Sequence, residues 1–116
     1  MIFQRFEDII AWQKSQDLAV SIYSVFNDLR DYGFRDQITR AVVSISNNIA
    51  EGFNRGTDKE FSKFLSYSMS STSEVKSMLY LAQKLNYIAD DNCRELIAAC
   101  NEVSRILVGL QKSLNT

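Results

Sequence analysis

No histidine occurs among the 116 residues, which removes the commonest metal ligand and general base. The Glu-x-x-His pairs that hold metals in di-iron helical bundles go with it. Only a carboxylate site for magnesium or calcium is left, and no acidic loop has the spacing for one. The sequence therefore assigns no catalytic residue, no metal and no cofactor.

Proline is absent as well, so nothing forbids long uninterrupted helices. Glycine occurs four times, and three of the four stand where a helix can end. No apolar run approaches the ~20 residues of a membrane span, and no basic-then-apolar leader follows Met1. A cytoplasmic protein without a membrane partner is expected. The two cysteines, Cys93 and Cys100, lie seven apart in a segment of helical pattern. Two turns separate their Cα atoms by ~10.5 Å, beyond the ~7 Å reach of a disulfide. They are expected as small buried hydrophobes on one helix face. Thirteen Lys and Arg against fourteen Asp and Glu leave a net charge of −1, without the basic excess typical of nucleic-acid-binding domains.

What is present is a large apolar fraction, 46% against 23% charged, enough for the core of a single domain. Its periodicity is helical throughout. Four helices are predicted at about 8–31, 35–54, 58–86 and 90–114. Asp8 is read as the cap of the first and Tyr32-Gly33 as its close. Ile38, Val42, Ile45, Ile49 and Phe53 make the stripe of the second. Thr57-Asp58-Lys59-Glu60 reads as a capping box for the third, whose seam is Phe61, Phe64, Ser68, Ser71, Val75, Leu79 and Ala82. Asp90 and Asp91 suit the start of the fourth. Short connections make successive helices antiparallel neighbours, so the expected fold is an all-α, up-down-up-down four-helix bundle in one domain.

Projected at 100° per residue, Gln37, Arg40, Ser44, Asn48, Glu51 and Arg55 form one polar ribbon bordering the apolar stripe of the second helix. Ser44 and Asn48 are poor helix formers that a merely solvated face has no reason to prefer. A structural network against another helix or subunit is the favoured reading over a solvated face or a ligand site. Ser68, Ser71 and Thr72 match it from the third helix, as small hydroxyl residues that allow close approach. That helix carries more apolar surface than one seam requires. Tyr67, Glu74 and Leu81 are spaced by sevens with Met78 and Leu85 beside them, and Met69, Tyr80 and Tyr87 lie on the opposite flank. Exposed apolar surface of this kind suggests a partner, and self-association is expected, with Phe3 and Phe6 as further contributors.

Several of these residues form a recognisable pattern. Tyr32-Gly33-Phe34, Gln37-Ile38-Thr39-Arg40-Ala41-Val42-Val43-Ser44-Ile45 and Asn48-Ile49-Ala50-Glu51-Gly52 follow one another. Trp12, Arg55, Glu60-Phe61, Phe64-Leu65, Ser71, Glu74 and Leu85-Asn86-Tyr87-Ile88 accompany them. Together they resemble the bacterial four-helix-bundle family of the 23S ribosomal RNA intervening-sequence protein, over nearly the whole chain. The chain departs from that pattern at Ser46, where proline is usual, at Ser70, where glycine is usual, and in lacking a Phe-Pro pair after the first helix. The resemblance implies a ring-like homo-oligomer, typically a pentamer. A relative in fold, the accessory variability protein of diversity-generating retroelements, works with a reverse transcriptase and RNA, but it is strongly basic.

Three functions follow for comparison. The leading one is a non-enzymatic oligomeric scaffold or adaptor, with Tyr67, Tyr80, Leu81 and Leu85 as interface residues. The alternative is an RNA-binding accessory protein that gathers Arg30, Arg35, Arg40 and Arg55 on one rim, where Asp28, Asp31 and Asp36 interleave with them. The third is an enzyme built on Glu51, Glu74 and Arg40, for which nothing fixes a substrate or nucleophile.

Overall fold

Ile9 is where the chain first commits to the core. The computed structural model describes residues 3–114, and in it a 3-10 turn over Phe6–Asp8 leads into this extended residue, only 1% exposed. Helix α1 then spans Ile10–Phe26. Asp8 does not cap it, because Asp8 belongs to the preceding turn. The Gln13 side-chain amide instead donates to the Glu7 carbonyl at 2.9 Å and holds turn and helix together.

Helix α2 spans Tyr32–Asn54, α3 spans Asp58–Lys84 and α4 spans Asp90–Leu114. The first boundary differs from the sequence expectation. Tyr32-Gly33 does not close α1 but forms the opening turn of α2. The reason is Asp31, whose Oδ1 accepts the Phe34 N–H at 3.2 Å and so supplies an N-cap.

At the α2–α3 connection the Thr57 hydroxyl accepts the Glu60 N–H at 3.2 Å, as the capping pattern predicts. Gly56 ahead of it takes a φ of 90°, which a side chain would resist. Helix α3 ends two residues before the expected Asn86. Asn86 adopts a φ of 60° while Tyr87 N–H bonds the Ala82 carbonyl and Asn86 N–H the Gln83 carbonyl. This is a Schellman ending with asparagine in the place glycine usually takes.

Each helix packs against its two neighbours around the bundle, α2 most extensively against α3. The result is an all-α four-helix bundle measuring 43 × 21 × 19 Å. Ile22 and Phe26 from α1, Ile38 and Ile45 from α2, Phe61, Leu65 and Leu79 from α3 and Leu107 from α4 are fully buried along its axis. Cys93 and Cys100 lie free and buried on the inner face of α4. Burial pushes the Cys93 thiol up, and the Cys100 thiol up to about 11. Among the described residues, no helix is long and apolar enough to cross a membrane.

Candidate functional site: the face shared by α2 and α3

Helices α2 and α3 approach closely because small residues line their contact. Gly52 is buried against α3, where a Cβ would overlap the Phe64 Cβ and sit 3.3 Å from Phe61 Cδ1. One turn group along, the Ser68 hydroxyl crosses to donate to the Ile45 carbonyl at 2.8 Å. Thr72 returns its hydroxyl to the Ser68 carbonyl at 2.8 Å. Ser68 and Thr72 are both about 1% exposed or less, and among the described residues no buried side-chain nitrogen or oxygen lacks a partner. Each buried hydroxyl is therefore satisfied locally, which avoids the penalty of an orphaned polar group.

The polar ribbon lies along the outer lip of this contact. Ser44 and Ser71 hydrogen-bond hydroxyl to hydroxyl across the two helices. Two turns away Gln37 donates from Nε2 to Glu74 Oε2 at 3.3 Å. Asn48 turns back to donate to the Ser44 carbonyl at 2.8 Å. Glu51 pairs with Arg55 at 3.1 Å, and the Arg55 guanidinium also lies 4.9 Å from the Phe64 ring centre. Within the subunit the ribbon is thus a network only at its middle. Ser44, Asn48 and Ser71 are half-buried, while Gln37, Arg40, Glu51, Arg55 and Glu74 remain exposed. Gly33, Gln37, Arg40, Ala41, Ser44 and Glu74 line an open cleft of about 560 Å³.

Of the candidate catalytic trio, Arg40 and Glu74 line this one cleft, and Glu51 does not join them. Glu74 stands level with Gln37, and Glu51 lies fourteen residues further along α2, about 21 Å away. Among the described residues no three metal-ligating side chains gather. The four arginines do not converge either. Arg35, which pairs with Asp36 and lies over Tyr32, opens α2. Arg55 closes it about 30 Å away, with Arg40 between them and Arg30 in the loop before Asp31.

The apolar candidates divide between two faces. Tyr67, Leu81 and Leu85 are 44%, 47% and 45% exposed. They follow one flank of α3 beside α2, where Tyr67 also meets the Phe64 ring edge-on at 5.3 Å between centres. Tyr80 turns about 100° away from Leu81, toward α4. There it lines a separate groove of about 330 Å³ with Arg94 and Ile97. The sequence pattern also missed two links that fix the bundle. Gln16 of α1 donates to the buried Ser46 hydroxyl at 2.9 Å, and the Tyr87 hydroxyl donates to Asp31 Oδ2 at 2.9 Å, joining the two loops at one end. Ser46, standing where the family pattern usually has proline, was the one signal for the first link, and nothing in the sequence pointed to the second.

Comparison with known proteins agrees with this architecture. A crystal structure of a protein of unknown function from the S23 ribosomal protein family of Bacteroides thetaiotaomicron VPI-5482 superimposes with a TM-score of 0.82. The two share 24% identity over 88% of this chain and 98% of that one, a likeness that concerns the fold alone. No curated protein matches the chain. The model of the 23S rRNA-intervening sequence protein family matches residues 7–109, and the chain belongs to that family.

Proposed function

We propose that this chain acts as a non-enzymatic oligomeric scaffold or adaptor, assembled from several copies of itself. The observation that carries this reading is the row of Tyr67, Leu81 and Leu85, nearly half exposed beside the polar ribbon. One face thus combines exposed apolar side chains with exposed polar and charged ones, the mixture typical of protein interfaces. A lone bundle would keep three large apolar groups in water along one flank, where a partner would remove them. The scattered positions of Glu51, Glu74 and the arginines favour assembly over catalysis or phosphate recognition. A ring, with the pentamer as the expected form, is the architecture proposed.

Size-exclusion chromatography with light scattering tests the reading. The expected mass is several times the 13.3 kDa of one chain. A monomer at tens of micromolar would refute it.

A further inference from the structure

On the flank of α3 that turns away from α2, the groove of about 330 Å³ between α3 and α4 has a distinct chemistry. Tyr80 of α3 lines one side, Ile97 and Ala98 of α4 the other, and Cys93 the floor. Tyr80 is 48% exposed and Cys93 only 2%. The Cys93 thiol donates to the Leu79 carbonyl at 3.5 Å, which sets the register of the two helices at this point. From Arg94 to Asn101 the groove runs about 10.5 Å along α4. Its volume lies at the small end of ligand sites. That length suits a two-ring aromatic molecule and is too short for a partner helix.

The two ends differ in charge. At the first end Arg94 is engaged by Asp91, and Gln83 donates to Asp90 at 3.2 Å. Those two carboxylates make that end hostile to an anion. Lys76 stands one turn before Tyr80 on α3, half-buried, and forms no ion pair among the described residues. Its charge reaches Cys100, where it opposes the rise that burial imposes on the thiol. The ammonium therefore lies on the α4 side of α3, near the Asn101 end. The half-buried Asn101 amide bonds no other side chain there. Nearby acids face elsewhere: Glu74 accepts from Gln37 of α2, Glu95 lines the cleft between α1 and α4, and Glu102 pairs with Lys14 of α1.

We propose that this α3–α4 groove binds a small aromatic carboxylate, with its rings against Tyr80 and its carboxylate held by Lys76 and Asn101. An aromatic body gains ring contact with Tyr80 beyond the area it buries, and the polarizable Cys93 sulfur beneath suits a ring as well. The carboxylate meets an unpaired ammonium and an amide N–H donor, which makes its hydrogen bonds charge-assisted. Apolar walls at the centre and a single cationic end fix one orientation. The site lies within one chain, so it holds whether or not copies assemble. Tyr67, Leu81 and Leu85 occupy the other flank of α3 and do not line it.

Isothermal titration calorimetry of the unaltered full chain with naphthalene-2-carboxylate tests the proposal. One molecule per chain is expected, with a Kd of about 1 mM or tighter. The uncharged carboxamide should bind about tenfold more weakly, and the fully saturated two-ring acid about fivefold more weakly. Tyr80→Ala should weaken the carboxylate about tenfold. Lys76→Gln should weaken it about tenfold as well yet leave the carboxamide unchanged, a split that a merely structural lysine would not produce. Circular-dichroism melts verify that both variants fold, and Tyr80→Leu replaces Tyr80→Ala if the latter unfolds. No heat of binding at about 5 mM ligand would overturn the proposal. Equal affinity for the carboxamide would remove the role of Lys76, and equal affinity for the saturated acid that of Tyr80. Binding that survives both substitutions lies elsewhere on the chain and overturns the proposal too.

Discussion

Gly52 of α2 lies directly against the Phe64 side chain of α3, with no room for even a methyl group between them. Alanine is the better helix former by about 1 kcal/mol, yet a Cβ here meets the root of Phe64 rather than its flexible end. Overpacking of this kind costs about 1–3 kcal/mol. Gly52→Ala is therefore expected to destabilise the fold, with the melting temperature falling by several degrees in a circular-dichroism melt. An unchanged or raised melting temperature would show that the two helices separate freely.

Ser68 should tolerate loss of its hydroxyl better than gain of volume. Ser68→Ala removes one neutral hydrogen bond to Ile45, worth about 1 kcal/mol. Ser68→Val instead pushes two closely packed helices apart, at about 1–3 kcal/mol. Urea unfolding should rank the unaltered protein first, alanine second and valine last.

Tyr87 supplies a pH signature. Its hydrogen bond to Asp31, then burial and the Asp31 charge, raise the phenol above its ordinary value. A group raised in the folded state stabilises below its unfolded value and loses that contribution as pH rises through the folded one. The unaltered protein should therefore lose stability more steeply than Tyr87→Phe as pH climbs above about 10. Melting temperatures of both proteins between pH 8 and 11 make the comparison; parallel curves would exclude the linkage.

Cys93 and Cys100 should be silent to thiol reagents in the folded protein. Both are buried, and Cys100, raised to about 11 by burial, is almost wholly protonated at pH 8. An aromatic disulfide reagent is expected to react with neither thiol in buffer and with both in guanidinium chloride. Fast labelling in buffer would mean that α4 opens readily. By the same linkage, the Cys100 contribution to stability is intact below the ordinary thiol range and is lost toward pH 11.

RNA should bind without a steep salt dependence, if at all. Arg35 and Arg55 are engaged by Asp36 and Glu51 and lie at opposite ends of α2. Genuine phosphate contacts would make affinity for a labelled structured RNA fall sharply between 50 and about 200 mM salt. Such a fall would restore the RNA-binding alternative.

The sequence by itself determined the four helices and their buried stripes. Its periodicity is read residue by residue, and apolar groups such as Ile38, Ile45 and Leu79 have one side on which to bury. It also placed Cys93 and Cys100 inside, and it located the ribbon from Gln37 to Arg55 by angle alone. The first helix boundary escaped it because Asp31 and Tyr32-Gly33 are locally consistent with either ending one helix or capping the next. The cap is selected by where Phe34 packs, 5.8 Å from Phe26 and 5.4 Å from Tyr87 between ring centres. Only the tertiary structure decided that Ser44 meets Ser71, that Gly52 admits Phe64, and that Glu51 and Glu74 stay far apart. Angular projection fixes which way a residue faces on its own helix. The axial register between two helices comes from the interlocking of their side chains, and that depends on both surfaces at once.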